Sequence, residues 1–174
     1  MHSSILPAIK AVTDCADFSQ TVRPYLPQLY ALPQLIYTAL QSGDKLNELR
    51  ILYLSTNPLI FTLALSLFLS PVFLIVSEIN KNYSQVDRAW SILPTVYIAH
   101  YCFWAHQHGL PTQWLDNILL FSVAWSARLT FNYWRRGGYS IGSEDYRWAH
   151  VKKSTSPMAM FILNATFISF AQNV

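Results

Sequence analysis

Charged residues are scarce in this chain. Lys, Arg, Asp and Glu together account for 12% of its 174 residues, whereas soluble domains typically contain about 25%. The charged residues are absent from long segments of the sequence instead of being reduced evenly along it. This distribution is typical of a protein embedded in a membrane. The net charge of +3 is too small, and the basic residues lie too close to apolar runs, to indicate a nucleic-acid-binding surface.

Cysteine is also rare, and its placement argues against two kinds of site. Cys15 and Cys102 are the two cysteines, and neither has the spacing of a zinc site or of a disulfide framework. His100, His106 and His108 flank an apolar run, and we interpret them as residues of a membrane edge rather than as ligands. We therefore expect no metal site.

Four runs of the sequence contain little or no charge. Residues 58–77 are uncharged and long enough to span about 30 Å of hydrocarbon. Residues 91–105 are shorter, so burial within a bundle competes with a membrane span. Residues 117–134 contain Arg128, and residues 157–174 reach the last residue without a basic or aromatic anchor, so we expect this run to be cut short. The pattern predicts an all-α, multi-span transmembrane helical bundle of about four spans.

The remaining sequence divides into two parts before this membrane domain, which we place at residues 57–174. Residues 1–22 lack a compact apolar run and predict a flexible tail. Residues 23–56 read as an apolar segment followed by a polar linker. Prolines within the apolar segment should break any regular helix. We expect the segment to lie at the membrane interface, and a broken span is the alternative.

The distribution of basic residues predicts the orientation in the membrane. The connections at residues 78–90 and 135–156 contain Lys and Arg, whereas residues 106–116 contain neither. Basic loops favour the cytosolic side. We therefore expect the first two connections to be cytosolic.

One face of the third apolar run is polar. An arginine at the centre of a membrane helix costs about 2.5–3.5 kcal/mol, so Arg128 should face a polar cavity or an ion partner. One interpretation is a cavity wall that binds an anionic group such as a cofactor phosphate, for which a guanidinium is well suited. The alternative is a structural ion pair between Arg128 and Asp87 or Glu78. Helical spacing places on this face Trp125, Arg128, Asn132 and Arg135.

A basic and glycine-rich loop follows this run. Residues 135–148 contain three of the five glycines, but they follow a helix and do not form the GxGxxG motif, which excludes a Rossmann site. Glu144 and Asp145 are candidates for binding ribose hydroxyls or for balancing nearby arginines. Upstream, Asp87 and Trp90 lie one helical turn apart. They are either a helix cap and an interfacial aromatic residue, or Asp87 joins the polar face.

Three motifs carry a resemblance to a known family. They are NYSQVDRAW at residues 82–90, WSARLTFNYWRRGGY at 125–139 and GSEDYRW at 142–148. Together they resemble the DUF1295 family of membrane proteins. That family is similar to the steroid 5-alpha-reductase C-terminal domain proteins, in a group that includes sterol reductases and isoprenylcysteine carboxyl methyltransferases. The resemblance covers roughly residues 58–174.

The resemblance implies a partial steroid-reductase-like fold in an internal membrane, with the endoplasmic reticulum expected. Reductases of the group use NADPH to reduce a carbon–carbon double bond in a lipid or steroid. The methyltransferase branch uses S-adenosylmethionine, and a non-catalytic membrane protein is a further alternative. In the reductase fold much of the cofactor pocket follows this region, so we expect the chain by itself to be incomplete and inactive.

The resemblance also implies which residues form a cofactor site. Membrane lipids and a lipid or steroid-like substrate are the expected partners, with no nucleic acid. For the proton donor, Tyr83, Tyr133 and Tyr146 have suitable chemistry, and the sequence selects none of them. The candidates for binding NADPH are Arg128, Asn132, Arg135, Arg136, Glu144, Asp145, Tyr146 and Arg147.

Overall fold

Helices make up the described part of the protein. The computed structural model describes residues 5–174, without the side chain of Val12, and contains no β-strand in that part of the chain. The all-α prediction is confirmed. The chain divides into two compact units: the residues up to Ala64 together with Gln107–Leu110, and Leu65–His106 together with Pro111–Val174.

The N-terminal segment that we expected to be a flexible tail is described in part. Residues 1–4 lie outside the described residues. Farther along, Val12–Ala16 form a 3-10 helix and Phe18–Thr21 form a short α-helix, α1. The carboxylate of Asp17 caps α1 by accepting the backbone N–H of Ser19 at 2.8 Å. Local hydrogen bonds therefore give this segment helical turns, and its flexibility stays a prediction.

The first unit is built around a pair of helices. Helix α2 (Leu26–Gln41) packs against α3 (Lys45–Ser55), and the side chain of Asp44 caps α3. The buried apolar residues are Tyr25, Leu32 and Ile60, against which Leu29, Leu52, Phe61 and Ala64 pack.

The prediction that prolines interrupt the apolar segment is wrong. Helix α2 runs through Pro33 without a break, and Pro27 lies in its first turn. A proline in the first turn loses no hydrogen bond, because the N–H groups there have no partner within the helix. A proline in the interior costs about 3 kcal/mol. Burial of Leu32 and Ala39 within the first unit opposes that cost.

The second unit contains most of the long helices. Helix α4 begins in the first unit and ends in the second. The bounds are α4 Pro58–Asn80, α5 Gln85–Trp90, α6 Leu93–Gln107, α7 Gln113–Arg135, α8 Tyr146–Ser154 and α9 Pro157–Leu163, the last followed by a π-helix at Asn164–Ala171.

Helix α4 is the clearest candidate for a membrane span. Among the described residues it is the one helix both long enough and apolar enough to cross a bilayer, and 17% of its most apolar window is buried. The four spans that we expected are not confirmed. Helix α6 has 15 residues, and α7 equals α4 in length at 23 residues but is more polar. The final apolar segment is also short of a span, at Pro157–Ala171.

Polar pairs join α6 to α7. Ser91 lies just before α6, and Thr95 and Cys102 lie within it. Their partners lie progressively earlier along α7, so α6 and α7 run antiparallel. Pairs of this kind between membrane helices each contribute about 0.6 kcal/mol on average, and their main effect is to fix the register. The three pairs are Ser91 Oγ with Thr130 Oγ1 at 2.8 Å, Thr95 Oγ1 with Ser122 Oγ at 2.6 Å, and Cys102 Sγ with Asp116 Oδ1 at 2.9 Å.

A buried asparagine joins the π-helix to α4. The side-chain amide of Asn164 donates to Ser77 Oγ at 2.7 Å and to Glu78 Oε1 at 2.8 Å. Its oxygen accepts the hydroxyl of Ser169 at 3.0 Å, five residues farther along, which is the repeat of a π-helix. Asn164 is fully buried, and its bonds to Ser77 and Ser169 lie away from solvent.

A second asparagine extends the same contact. The amide of Asn173 donates to Ser66 O at 2.6 Å and to Ser70 Oγ at 3.0 Å. Because Asn173 follows Asn164 while its partners precede Ser77, the C-terminal segment runs antiparallel to α4. Buried amides and hydroxyls thus replace charged residues as the contacts that fix the register of these helices.

Replacing Asn164 tests this contact. We expect Asn164→Ala to lower the free energy of unfolding by about 1–3 kcal/mol, because it leaves buried polar partners unsatisfied. Thr166→Ala is the control, since Thr166 is exposed on the same π-helix and its hydroxyl bonds only within the helix. Equal stability of the two variants, measured by denaturant titration in detergent, would contradict the contact.

Candidate functional site

Hydrogen bonds join the three sequence motifs. The connection between α4 and α5 and the first turns of α5 lie against residues 139–152, and we call this contact the motif junction. Both connections therefore lie on the same side of the second unit. The bonds are Asn82 Nδ2 and Arg88 Nη2 to Ser143 O at 2.8 and 2.7 Å, Tyr83 N to Glu144 Oε1 at 2.9 Å, Asp145 N to Ser84 Oγ at 2.8 Å, Trp148 Nε1 to Asp87 Oδ2 at 2.8 Å, Tyr139 OH to Arg88 O at 2.9 Å, and Lys152 Nζ to Lys81 O at 2.7 Å.

The glycine pair of the second motif ends α7. Gly137 has φ of +77°, and its N–H donates to Trp134 O at 2.9 Å, while the N–H of Gly138 donates to Tyr133 O at 3.0 Å. These two bonds form a Schellman motif, in which a left-handed residue after the helix satisfies its last carbonyls. The glycines thus terminate a helix, and the loop turns back towards α5.

Gly138 also makes room for an aromatic ring. A Cβ at this position would lie 2.5 Å from Cζ of Tyr133, which is closer than van der Waals contact allows. The Tyr133 ring packs edge-on against Tyr139, with centroids 5.0 Å apart and planes at 83°. The hydroxyl of Tyr139 in turn reaches α5. The loop, α7 and α5 are therefore packed around one half-buried tyrosine.

A pocket of about 320 Å³ lies beside the motif junction. The end of α5, one face of α7 and the start of α8 surround it. Its lining combines apolar surface with two arginines and two aspartates, and it contains residues of all three motifs. The lining residues are Asp87, Trp90, Ser91, Leu129, Asn132, Tyr133, Arg136, Asp145 and Arg147.

The face of α7 that lines the pocket differs from the predicted polar face. Asn132 belongs to both. The other lining residues are Leu129, Tyr133 and Arg136, at the i, i+3, i+4 and i+7 spacing of one helical face. The predicted face is rotated from it by about one residue, or about 100°. Trp125, Arg128 and Arg135 are consequently exposed and lie outside the pocket lining.

The alternative interpretation of Arg128 as half of an ion pair is wrong. Asp87 accepts a hydrogen bond from the indole N–H of Trp148. Glu78 forms an ion pair with Lys81, with 2.8 Å between Oε2 and Nζ. Within residues 5–174 the Arg128 side chain forms no hydrogen bond or ion pair, and it is exposed. Both carboxylates that the sequence offered as partners are therefore bound elsewhere.

The two acidic residues of the loop balance nearby cations. Glu144 accepts the ammonium of Lys152 at 2.7 Å in addition to its bond at the motif junction. Asp145 caps α8 and accepts Nε and Nη2 of Arg147 at 2.8 and 3.1 Å. The hydrogen bond from Arg147 lowers the pKa of Asp145, and the same bond raises the pKa of Arg147. Both groups are therefore charged at neutral pH.

The three remaining candidates differ in their access to the pocket. Arg136 lines it, and in the described part of the chain its side chain has no acidic partner, so its charge remains free for an anion. Tyr146 is 74% exposed and lies outside the lining. Arg147 is 3.8 Å from Asp87, so its guanidinium connects α8 with α5 across the pocket.

The three tyrosines considered as proton donors occupy different environments. Tyr133 lines the pocket and is half-buried. Tyr83 belongs to the hydrophobic core with Val86 and Trp148, and burial raises the pKa of its phenol. Tyr146 is exposed. Of these three tyrosines, Tyr133 is therefore the one that can contact a molecule in this pocket.

A second pocket, of about 450 Å³, adjoins the motif junction. Its lining includes Lys81, Arg88, Gly142 and Glu144. The Nε atom of Arg88 is buried and has no hydrogen-bond partner among the described residues. A buried donor without a partner is costly, so this nitrogen is available to an acceptor that enters from outside.

Sequence reasoning missed several residues that the structure brings together. Leu129 and Arg88 belong to the motifs but were not proposed as site residues, because pattern alone does not show which helical face packs. Cys102 and His106 lie one turn apart on α6, and Asp116 reaches both from the first turn of α7. The i, i+4 spacing of Cys102 and His106 was the available signal.

Comparison with known proteins places this chain in a family. The model of "Protein of unknown function (DUF1295)" matches residues 73–174. The chain belongs to the DUF1295 family. The match includes all three motifs and every residue that lines the first pocket, so the site lies in the part of the chain that defines this DUF1295 protein as a member.

The DUF1295 protein also resembles a longer protein. An uncharacterised protein of Schizosaccharomyces pombe is 40% identical over 151 residues, which cover 87% of this chain and 42% of that protein. The chain thus spans less than half the length of this relative. No solved structure matches the chain.

Replacing Gly138 tests the packing around Tyr133. We expect Gly138→Ala to lower the free energy of unfolding by about 1–3 kcal/mol, the usual cost of overpacking, because the new methyl group would overlap the ring. Gly43→Ala is the control, since a Cβ there meets nothing within 4 Å and should change stability by less than about 0.5 kcal/mol. The measurement is denaturant unfolding. A loss as small as that of the control would show that the ring has room to move.

Proposed function

We propose that this DUF1295 protein is an integral membrane oxidoreductase that uses NADPH to reduce a carbon–carbon double bond in a lipid or steroid-like enone. The observation that carries the proposal is the first pocket, where Arg136 presents a charge without an acidic partner in the described chain beside the half-buried Tyr133. The sequence resemblance to steroid reductases supports the same activity.

The membrane part of the proposal rests on exposed apolar surface. Large apolar side chains such as Phe68 and Ile75 of α4 and Leu120 and Phe121 of α7 are exposed. Apolar patches of this kind on a soluble monomer are rare, and a bilayer would cover them. In the proposal α6, α7 and the C-terminal helix cross the membrane with α4. The motif junction faces the cytosol of the endoplasmic reticulum, because its loops contain the basic residues.

The residues of the pocket fit a portion of a dinucleotide. Its volume of about 320 Å³ lies at the low end of small-molecule sites, which measure about 300–1,000 Å³, so it suits a phosphate with its ribose. Arg136 would bind the phosphate, Asn132 offers an amide, and Asp145 holds Arg147 in place. The unpartnered Nε of Arg88 offers a further donor at the motif junction. Arg128, Arg135, Glu144 and Tyr146 stay predictions as binding residues.

The chemistry needs a hydride and a proton. When bound, NADPH supplies the hydride to one carbon of the double bond. Tyr133 is the residue that we assign to supply the proton, because its phenol lines the pocket together with Asp87. Trp90 and Leu129 provide apolar surface for a lipid and exclude water from the reacting carbons.

Cofactor binding tests the proposal. The protein as the cell produces it is purified in detergent and titrated with NADPH, with nucleotide fluorescence as the readout. We expect Arg136→Ala to raise the dissociation constant about 10- to 100-fold, because a hydrogen bond to a charged group contributes about 1.5–3 kcal/mol. Lys153→Ala is the control, since it removes the same charge from an exposed position outside the pocket.

Three other results would contradict this assignment. An effect of Arg128→Ala with none of Arg136→Ala would place the cofactor on the other face of α7. Binding of S-adenosylmethionine instead of NADPH would indicate a methyltransferase. Binding of neither would indicate a non-catalytic membrane protein.

A further inference from the structure

Three potential metal ligands meet at the opposite end of α7 from the pocket. Cys102 and His106 lie on α6, and Asp116 lies in the first turn of α7. Their ligand atoms all lie within 4.8 Å of one another. Oδ1 of Asp116 is 2.9 Å from Cys102 Sγ and 2.9 Å from His106 Nε2.

The backbone explains why these side chains converge. Residues four apart on a helix point in nearly the same direction, so Cys102 and His106 share one face of α6. Helix α7 returns antiparallel and places Asp116 opposite both. Oδ2 of Asp116 accepts the hydroxyl of Thr112 at 2.8 Å, which leaves Oδ1 turned towards the other two residues. The hydroxyl thus orients the carboxylate in the way that outer residues orient metal ligands.

We propose that Cys102, His106 and Asp116 bind a zinc ion. This site goes beyond the proposed reductase function and does not depend on it. A thiolate, an imidazole and a carboxylate are the three side chains that zinc prefers. Three protein ligands leave the fourth position of a tetrahedral ion for water or an exogenous group.

The present hydrogen bonds mark where the ion would lie. Each bond to Asp116 Oδ1 uses a proton of Cys102 or His106, and a metal would replace both bonds. In a tetrahedral zinc site the sulfur–oxygen and nitrogen–oxygen separations are about 3.3–3.5 Å, given zinc bond lengths of about 2.0–2.3 Å. The ligand atoms would need to separate by about half an ångström. Side-chain torsions can supply this change without moving the helices.

The burial of the three ligands suits a site that exchanges its ion with solvent. Cys102 is 4% exposed, whereas the side chains of His106 and Asp116 are 54% and 45% exposed. An ion would therefore rest on the buried sulfur and be open on the side of the imidazole and the carboxylate.

The zinc site and the pocket can be tested independently. Asp116 and Asn132 are separated by 16 residues of α7, or about 24 Å at 1.5 Å per residue. A substitution at the zinc site therefore does not alter a residue that contacts a molecule in the pocket, and the converse also holds. Loss of zinc with intact NADPH binding would leave the reductase proposal standing, and the reverse result would leave the zinc site standing.

Cobalt titration is the experiment that tests the site. The purified full chain is stripped of metal with a chelator and titrated with Co²⁺, which reports thiolate ligation through a charge-transfer absorption band. We expect one Co²⁺ per chain with that band, displaced by one equivalent of Zn²⁺. Cys102→Ser should abolish the band, and Asp116→Asn and His106→Gln should each weaken binding at least tenfold. Thr112→Val should weaken it about 10- to 100-fold, as loss of an outer residue does.

Matched variants serve as controls. Cys15→Ser removes the other cysteine, which is exposed, and His150→Gln removes an exposed histidine of α8. Both should bind Co²⁺ as the unaltered protein does. Circular dichroism confirms that each variant is folded. Absence of the charge-transfer band in the unaltered protein, or a band that survives Cys102→Ser, would overturn the proposal.

Discussion

One carboxylate connects the parts of the motif junction. Glu144 accepts the backbone N–H of Tyr83 on one oxygen and the ammonium of Lys152 on the other. The first bond fixes the connection after α4, and the second fixes α8. Bonds to an ionised group are about twice as strong as those between neutral groups, and Glu144 is only partly exposed. The positions of Asp145 and Arg147 at the pocket follow from this anchor, because they come directly after it in the chain.

Away from the junction, neutral groups fix the helices. Asn164 and Asn173 hold the C-terminal segment against α4, and hydroxyl pairs hold α6 against α7. In an apolar environment a neutral amide or hydroxyl determines register without the large desolvation cost of a charge. The scarcity of charge in the sequence and the presence of buried Ser, Thr and Asn are two consequences of one constraint. Charged groups are concentrated at the junction, where ion partners are available to them.

The sequence predicts the helices better than it predicts how they pack. The long runs of little or no charge correctly locate α4, α6, α7 and the C-terminal helix, because long apolar runs favour helices. Pro33 was misjudged, since the cost of a proline is local while the burial that offsets it comes from the rest of the first unit. The sequence offered Asp145 as a candidate site residue, and its hydrogen-bond partners Ser84 and Arg147 came only from the structure.

The polar face of α7 is a second case in which the sequence predicts a helix but not how it packs. Two sets of residues, one containing Arg128 and the other Arg136, both satisfy helical periodicity, and they differ by one residue of rotation. Periodicity cannot choose between them, because the choice depends on what packs against the helix. The group of Cys102, His106 and Asp116 could not be predicted from a local pattern. Asp116 comes from the helix that follows α6, and it meets the other two residues only because the chain folds back.

The register between α6 and α7 links the two ends of the second unit. The bond between Thr95 and Ser122 fixes how far α7 is shifted and rotated against α6. A helix is stiff over this length, so the same bond sets where Asp116 meets Cys102 at one end and where Asn132 meets the pocket at the other. A shift by one residue would rotate α7 by about 100° and would carry Arg128 and Arg135 towards the pocket in place of Leu129 and Arg136. The polar pairs between these helices therefore determine which arginine of α7 serves the pocket, a choice that the composition of α7 leaves open.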